Sequence, residues 1–279
     1  MANRNGQTVR NVPNMLDRWI PFDVERSVIS PATALSEGDV QLWFSSLEQP
    51  SYIVGQLEAT LDAEEQNRVR DSALKDEKAR FVVGRGLLRK LLGSYLEVDP
   101  SDLHFQYDTR GKPSLGGEHG TQRIQFTVSH SREYVIYAFA LHRRIGVDME
   151  LILPIQSEEI ASRFFSNQER AALQAVPKHK RQELFFKIWT AKEAYLKASG
   201  GDLASTLQTP ILEMDAGMGT CSVRFNENRN SDYHWSLEQL KPISGVIVSL
   251  VVEGSRYRLA GWRVFCEMLG NTLNKVDGC

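Results

Sequence analysis

The sequence predicts an α+β protein built from two similar lobes. Short apolar runs of strand length alternate with two longer segments in which apolar residues recur at helical spacing. The order strand, helices, strands occurs twice along the chain, which favours two α+β lobes joined near residue 145. No residue-level repeat accompanies this order, so the similarity of the lobes is a prediction about structure alone.

The predicted first lobe covers residues 39–144 and follows an N-terminal extension over 1–38. An apolar run predicts its first strand. Asp62 and Glu65 then have the spacing of a capping box, which opens a helix. A longer helix, a loop rich in glycine, aspartate and proline, and two apolar strands follow. These segments are Val40–Phe44 for the first strand, Asp76–Leu96 for the long helix, Asp108–Gly120 for the loop, and Ile124–Ser129 and Tyr134–Leu141 for the last two strands.

The predicted second lobe covers residues 145–265 and precedes a C-terminal tail over 266–279. It begins with a strand, and Ser166 with Glu169 forms a second capping box before a short helix. Gly200 is placed to end the long helix that follows. These segments are the strand Ile145–Leu151, the helices Arg170–Val176 and Arg181–Ala198, and the strands His234–Leu240, Val246–Val252 and Arg258–Val264.

Composition and charge exclude several classes of protein. The 279 residues are 42% hydrophobic and 24% charged, which is ordinary globular usage and not that of a fibre or a disordered chain. The net charge of −2 disfavours a general nucleic-acid coat, so no nucleic-acid partner is expected. No apolar run approaches the ~20 residues of a membrane span, so no membrane partner is expected either.

The cysteine pattern favours a reduced, cytoplasmic protein. The three cysteines, Cys221, Cys266 and Cys279, are far apart in the sequence and form no CxxC pair. The first twenty residues contain no apolar segment of the kind found in a secretory signal. We therefore expect free thiols rather than a disulfide framework.

The strand Ile145–Leu151 carries the first chemically informative pattern. Asp148 and Glu150 alternate with Val147 and Met149, so the two carboxylates share one face of the strand. At a rise of ~3.3 Å per residue their Cβ atoms are roughly 6–7 Å apart, close enough to hold one cation. Mg²⁺ prefers such oxygen ligands and retains several waters. An exposed strand face with two acids and no metal is the equally weighted alternative.

The long helix carries the second pattern. Trp189, Glu193 and Lys197 follow one another at i, i+4 and i+8 and so form one stripe. A carboxylate beside an ammonium group suits a metal and a phosphate bound side by side. For an isolated helix, a surface Glu–Lys pair above a core tryptophan is the simpler interpretation.

Three weaker patterns involve cations and hydroxyls. The strand end Phe126–Ser131 places small hydroxyls beside His130, and a turn presents Arg110 and Lys112 before Pro113. A basic stretch on the first long helix is expected to be mostly a solvated face, with Lys75 and Arg80 as candidate anion contacts. The members of this stretch are Lys75, Lys78, Arg80, Arg85, Arg89 and Lys90.

Taken in order, these segments resemble the 4′-phosphopantetheinyl transferases of the Sfp type. The resemblance runs from about Leu74 to Gly200 and is thinner as far as Val264. Its most specific part is the pairing of G-V-D-x-E with W-x-x-K-E-x-x-x-K at this order and separation. The matching segments are Gly111–Pro113, Phe126–Ser131, Gly146–Glu150, Phe164–Glu169 and Trp189–Lys197.

The resemblance implies transfer of the phosphopantetheine arm of coenzyme A to a serine of an apo acyl or peptidyl carrier protein. The reaction would require Mg²⁺, with Mn²⁺ as the alternative ion, and would release adenosine 3′,5′-bisphosphate. The family fold implies a pseudo-dimer of two α+β lobes with the active site in the cleft between them. A monomer is expected because two lobes in one chain complete one cleft.

The resemblance also implies roles for individual residues. Asp148, Glu150 and Glu193 match the metal ligands, Glu193 also matches a candidate base for the carrier serine, and Lys197 matches the lysine that faces the pyrophosphate. Asp148, Glu193 and Lys197 are therefore the predicted catalytic residues. The predicted coenzyme A contacts are Lys75, Arg80, Lys112, Pro113, Ser129, His130, Asp148 and Lys197.

One position departs from the family pattern, and two other functions compete with the transferase. Phe81 stands where some members have a small hydroxyl residue that contacts phosphate. A metal-dependent phosphodiesterase uses similar acids and a lysine, but the net charge of −2 and the lack of an acid-x-lysine sequence after Asp148 disfavour it. A non-catalytic module that binds coenzyme A or a carrier protein is disfavoured by the intact acid trio.

Overall fold

Helices and antiparallel strands are mixed along the chain, which confirms the predicted α+β class. The structure is a computed structural model that describes residues 35–109, 111–117, 124–201, 212–217, 220–225 and 234–264. The predicted N-terminal extension up to residue 34, Arg110 and the tail after residue 264 lie outside the described residues. The strands are β1 (Asp39–Ser46), β2 (Phe105–Tyr107), β3 (Pro113–Leu115), β4 (Ile124–Ser131), β5 (Tyr134–Leu141), β6 (Ile145–Leu151), β7 (Leu212–Gly217), β8 (Thr220–Phe225), β9 (Trp235–Leu240), β10 (Val246–Glu253) and β11 (Arg258–Val264). The helices are α1 (Ser51–Glu58), α2 (Ala63–Asp71), α3 (Lys75–Leu96), α4 (Ser157–Phe164), α5 (Asn167–Ala175) and α6 (Lys178–Ser199), with a short 3₁₀ turn over Pro100–Asp102.

The first sheet has the strand order β11-β1-β5-β4. β1 and β4 are both antiparallel to β5, whereas β11 is parallel to β1, with Asp39 opposite Arg258. The sequence analysis grouped β11 with the second lobe, but the structure adds it to the sheet of the first. Its apolar pattern predicts a strand and contains no information about the partner, which is more than two hundred residues away.

Helix α3 covers the first sheet, and helix α1 packs closely across α3. Val83 and Leu87 of α3 pack into one core with Trp43 of the sheet. Gly86 permits the crossing, because a Cβ at this position would be 2.7 Å from Leu57 Cβ. Helix α1 was not predicted from the sequence.

The basic stretch on α3 is only partly solvated, contrary to expectation. Arg89 is fully buried and donates to Asp62 Oδ2 at 2.5 Å and to Glu65 Oε2 at 2.7 Å. Arg85 is also largely buried, beside Glu65 and the ring of Phe105. The acids of the α2 capping box therefore hold two of the arginines that the sequence suggested were exposed.

The second sheet has the order β6-β10-β9 and is covered by α6. Val147 and Met149 of β6 are fully buried in the core between the two sheets. β4 and β6 are edge strands of different sheets, and they lie side by side. The two halves of the molecule therefore meet where the sequence placed its hydroxyl and carboxylate patterns.

Local signals in the sequence were reliable at the helix ends. Both capping boxes form, at Asp62 with Glu65 and at Ser166 with Glu169. Helix α6 ends at Gly200, whose φ of 73° is in the left-handed region. Among the described helices, none combines the length and apolar character of a membrane span.

Candidate active site

A cleft of about 470 Å³ opens at the place where β4 and β6 meet. Its walls come from the β2–β3 hairpin, β4, β6 and the C-terminal half of α6. The lining residues are Asp108, Gly111, Lys112, Pro113, Phe126, Thr127, Val128, Ser129, His130, Asp148, Glu193, Leu196, Lys197 and Gly201. The cleft thus combines most of the polar residues that were predicted to bind coenzyme A.

Asp148 is the most buried acid of the cleft, with 6% of its surface exposed. Its Oδ1 accepts hydrogen bonds from Ser129 Oγ and from Lys197 Nζ, each at 2.8 Å. Its Oδ2 is also buried but has no hydrogen-bond partner among the described residues. A buried carboxylate oxygen without a partner costs free energy unless a cation or a hydrogen-bond donor reaches it. The Oδ2 side of Asp148 is therefore suited to bind a ligand.

Helix α6 supplies the opposite wall. Glu193 and Lys197 line the cleft, and Lys197 Nζ also donates to the carbonyl of Val147 at 3.1 Å. Trp189, the third member of the predicted stripe, packs against Phe164 and Phe185 and is not a lining residue. The stripe therefore divides into a packing residue and two polar residues that face the cleft.

The acids of the site influence one another strongly. Burial raises the pKa of Glu193, and the nearby charges of Asp148 and Glu150 raise it further, against the opposing effect of Lys197. Burial likewise raises the pKa of Glu150, while a hydrogen bond from Ser131 lowers it. The three acids and the lysine therefore interact electrostatically, and a bound cation would offset the repulsion among the carboxylates.

These residues fit a hard divalent cation that is completed by other ligands. Within the described ranges, no three carboxylate, imidazole or thiol groups form a protein-only metal site. Mg²⁺ does not need one, because it commonly takes one or two carboxylates, several waters and substrate phosphates. The free Oδ2 of Asp148 and the neighbouring Glu193 suit that arrangement. The ligand set Asp148, Glu150 and Glu193 stays a prediction.

The predicted nucleotide contacts divide into two groups. Lys112, Pro113, Ser129 and His130 all line the cleft. Lys112 Nζ crosses the cleft to the carbonyl of Lys197 at 2.6 Å. Desolvation and the charge of Lys197 lower the pKa of His130, so its imidazole is disposed to be neutral until an anion arrives.

Lys75 and Arg80 form the second group, which the structure does not bring into the cleft. Neither residue lines it. Arg80 lies 3.6 Å from Glu48 in a partly exposed ion pair, and Lys75 is exposed at the start of α3. Phe81 lies under the guanidinium group of Arg68, at 4.5 Å from the ring centroid. The roles of Lys75 and Arg80 as coenzyme A contacts stay predictions.

A buried ion pair lies behind the site and was not predicted from the sequence. Lys192 Nζ contacts both carboxylate oxygens of Glu169, at 2.9 and 2.7 Å, and both side chains are fully buried. Glu169 also closes the capping box of α5 by accepting from the backbone N–H of Ser166. The pair ties α5 to α6 one residue before Glu193. The adjacent lysine and glutamate at 192 and 193 were visible in the sequence, but nothing local showed which one was buried.

Comparisons with known proteins agree with this geometry. Residues 144–259 match the 4′-phosphopantetheinyl transferase superfamily, and residues 48–142 match a family described as 4′-phosphopantetheinyl transferase, N-terminal. The chain is 33% identical to the 4′-phosphopantetheinyl transferase HetI of Nostoc sp. over 83% of its own length and 95% of that protein. The chain belongs to the 4′-phosphopantetheinyl transferase superfamily, which confirms the resemblance found in the sequence.

Further relatives are more distant. The 4′-phosphopantetheinyl transferase Sfp of Bacillus subtilis is 32% identical over 53% of this chain and 64% of its own length. The human L-aminoadipate-semialdehyde dehydrogenase-phosphopantetheinyl transferase is 24% identical over 71% of this chain and 70% of its own length. A solved holo-(acyl-carrier-protein) synthase from Bacillus anthracis, in complex with CoA (3′,5′-ADP), superposes with a TM-score of 0.32 at 21% identity, covering 40% of this chain and 96% of that one.

Proposed function

We propose that this protein transfers the 4′-phosphopantetheine arm of coenzyme A to a serine hydroxyl of an apo acyl or peptidyl carrier protein. The observation that carries the proposal is the free Oδ2 of Asp148, which shares one cleft with Glu193 and Lys197. Membership of the transferase superfamily supports the same reaction. In this proposal the other product is adenosine 3′,5′-bisphosphate.

The reaction moves one phosphoryl group between two oxygens. A bond forms between the carrier serine oxygen and the phosphorus that bears the pantetheine arm. The bond from that phosphorus to the bridging oxygen of the pyrophosphate breaks, and the electron pair leaves with the nucleotide. The serine proton passes to a base. Most of the barrier in such a transfer is lowered by alignment and by neutralisation of the phosphate charge.

Asp148, Glu193 and the neighbouring Glu150 are the residues that would hold Mg²⁺ at the pyrophosphate. When bound, the ion supplies Lewis-acid neutralisation of the phosphate oxygens, and Mn²⁺ meets the same ligand preference. Lys197 lies beside Asp148 at 2.8 Å and is only partly exposed, so its ammonium group is already fixed where negative charge accumulates. A pre-oriented cation of this kind does not need to reorganise during the reaction.

Residues of the facing wall would orient the nucleotide. Lys112, Pro113 and His130 line the wall formed by the β2–β3 hairpin and β4. A lysine and a histidine there suit the 3′-phosphate of coenzyme A, because an arriving phosphate favours the charged imidazole. Cations on the two facing walls of the cleft would hold the pyrophosphate in register with the carrier serine.

Glu193 is the proposed base for the serine proton. Burial and the adjacent acids raise the pKa of Glu193, and a carboxylate with a raised pKa accepts a proton more readily near neutral pH. It lines the same cleft as Asp148, so the acceptor and the phosphate site are adjacent. Glu193 is also a proposed metal ligand, and a bound cation would keep its carboxylate ionised, which is the form that accepts the serine proton.

The carrier protein is proposed to dock beside α4, α5 and α6. Arg163 is exposed there, and Arg170 and Lys187 are partly exposed. Such cations would steer an acidic partner toward the cleft. Phe165 is buried in the core, and Phe164 is partly buried against Trp189. A monomeric state and a cytoplasmic location belong to the same proposal.

The test is intact-protein mass spectrometry of apo carrier proteins incubated with the full chain, coenzyme A and Mg²⁺. We expect a mass gain of one phosphopantetheine, lost with EDTA and strongly reduced in Glu193→Gln. Glu58→Gln is the matched control, because Glu58 is an exposed carboxylate of helix α1 that does not line the cleft. Coenzyme A binding without transfer to any carrier would favour the non-catalytic module, and neither binding nor transfer would favour the phosphodiesterase.

A further inference from the structure

Two serine hydroxyls bridge the edge strands β4 and β6. The backbone N–H of Met149 donates to Ser129 Oγ at 3.2 Å, and that of Leu151 donates to Ser131 Oγ at 3.1 Å. These strands belong to different sheets, so the serine side chains accept from N–H groups at the edge of the second sheet. The bridge therefore lies between the two halves of the molecule, and Ser129 lines the cleft whereas Ser131 does not.

Each hydroxyl also binds one acid of the site. Ser129 Oγ donates to Asp148 Oδ1 at 2.8 Å, and Ser131 Oγ donates to Glu150 Oε2 at 2.7 Å. The same pair of bonds therefore occurs twice, at a two-residue step in both strands. In each pair a β4 serine accepts from one β6 N–H and donates to the acid that precedes it.

This arrangement limits what the serines are able to do. A hydroxyl has a single proton, and in both serines it is directed to a carboxylate. The second bond, from the backbone N–H, fixes the position of the oxygen. Ser129 was predicted to contact coenzyme A, but in this structure its proton is used by Asp148.

Ser131 has the more informative position of the two. Glu150 has a longer side chain than Asp148, so more rotatable bonds have to be held for its carboxylate to point in one direction. Glu150 does not line the described cleft, although its charge raises the pKa of Glu193. The bond from Ser131 fixes the orientation of the Glu150 carboxylate outside the cleft.

We propose that Ser131 is a positioning residue that orients Glu150 toward a divalent cation held at Asp148. The proposal rests on the metal-dependent function argued above. It makes the packing of β4 on β6 part of the metal site, because the hydroxyl that directs Glu150 is itself placed by the contact between the two sheets. Partners of this kind, one bond beyond the ligands, commonly change metal affinity about 10–100-fold.

The experiment measures metal binding apart from catalysis. Ser131→Ala, Ser131→Thr and wild type are titrated as full chains with Mn²⁺ alone, and free Mn²⁺ is followed by electron paramagnetic resonance. Ser45→Ala is the matched control, because Ser45 is a buried strand serine whose hydroxyl donates to the backbone carbonyl of Val264. Thermal unfolding of every variant, the Mg²⁺ concentration for half-maximal transfer and KM for coenzyme A complete the set.

We expect Ser131→Ala to weaken Mn²⁺ binding about tenfold or more and to raise the Mg²⁺ requirement for transfer in parallel. KM for coenzyme A at saturating Mg²⁺ should change little. Ser131→Thr retains the hydroxyl and should recover most of the affinity, and Ser45→Ala should bind like wild type.

A folded Ser131→Ala protein with wild-type Mn²⁺ affinity would overturn the role of Ser131 and leave the proposed function intact. Equal loss in the alanine and threonine variants would also overturn it, because the hydroxyl would then not be the cause. If wild type itself neither bound Mn²⁺ nor required a divalent ion for transfer, the metal part of the proposed function would fail and this proposal with it.

Discussion

Gly146 of β6 lies directly against Ala194 of α6, so that a Cβ at Gly146 would be 1.9 Å from the carbonyl oxygen of Ala194. The same atom would be 2.6 Å from the backbone nitrogen of Ala198. Both contacts are with helix backbone, which has no rotamer to change. The missing side chain is what permits α6 to approach β6, and this approach brings Glu193 and Lys197 beside Asp148.

Gly146→Ala should therefore disturb both stability and activity. We expect a loss of about 1–3 kcal/mol or more in the free energy of unfolding, as in other overpacked cores, and a large fall in transfer rate because α6 has to shift. Urea unfolding and the carrier-modification rate measure the two effects. Gly55→Ala is the control, because Gly55 is in α1 with nothing within 4 Å of an added Cβ, and there alanine should stabilise by about 0.5–1 kcal/mol. Wild-type behaviour of Gly146→Ala would contradict this interpretation.

The buried pair of Lys192 and Glu169 should be costly to break from one side. Lys192→Met leaves the carboxylate of Glu169 buried without its cation, and such single changes cost about 3–5 kcal/mol. The double variant Lys192→Met/Glu169→Leu removes both charges and should recover most of that loss, apart from the contribution of the capping bond that Ser166 donates to Glu169. Urea unfolding of the two single variants, the double variant and wild type measures the coupling.

An exposed ion pair provides the comparison for that experiment. Arg163 and Glu159 are paired at i, i+4 on α4, with an N–O distance of 3.0 Å and most of both side chains exposed. Arg163→Ala should change the free energy of unfolding by only a few tenths of a kcal/mol. If Lys192→Met were equally harmless, the ion pair would not be what joins α5 to α6.

Glu193 should make folding less favourable as the pH rises. Burial raises the pKa of Glu193 above its ordinary value of 4.5, so the folded chain binds this proton more tightly than the unfolded chain. Stability therefore falls as the pH rises from the unfolded pKa through the folded one. In EDTA, Glu193→Gln should therefore gain stability relative to wild type as the pH rises from the unfolded pKa of this carboxyl through its folded pKa. Urea unfolding across that range measures the gain.

Glu183 provides a control of opposite sign. A hydrogen bond from Lys241 lowers the pKa of Glu183, so its ionised form favours the folded state. Glu183→Gln should therefore be less stable than wild type above the unfolded pKa of this carboxyl, and the difference should disappear as the pH falls through the folded pKa. Parallel pH profiles for the two variants would show that the environment of Glu193 is not what the structure indicates.

Divalent ions should stabilise the protein through the same acids. A ligand that binds only the folded state adds about 2.7 kcal/mol at a concentration of one hundred times its Kd. We expect Mg²⁺ with coenzyme A to raise Tm and EDTA to remove the part of the shift that depends on Mg²⁺. Asp148→Asn should abolish that part, whereas Glu183→Gln should keep it. A Tm shift that survives Asp148→Asn would place the cation elsewhere.

Much of the local structure could be predicted because its causes are local. The capping boxes at Asp62 and Ser166 and the left-handed end of α6 at Gly200 depend on residues within one turn. The strand Ile145–Leu151 was predicted at the bounds that the structure shows. Alternation along that strand also placed Val147 and Met149 in the core and left Asp148 on the other face.

What could not be predicted depends on contacts between distant segments. The pairing of β11 with β1, the burial of Arg89 and the bridging role of Ser131 are all set by elements that meet only in the folded chain. Helix α1 lacks a capping side chain and contains Gly55, so its local signal is weak. For the same reason the polar residues of the cleft could be predicted from the sequence, whereas the buried charged residues that support the cleft could not.

The central claim is that a divalent ion and the pyrophosphate of coenzyme A bind between Asp148, Glu193 and Lys197. A crystal structure of the full chain with coenzyme A and Mn²⁺, with anomalous data, tests it most directly. We predict an anomalous peak within about 2.5 Å of Asp148 Oδ2, with the pyrophosphate in hydrogen-bond reach of Lys197 Nζ. Coenzyme A bound in the cleft with the ion absent, or with the ion on residues other than these acids, would contradict it.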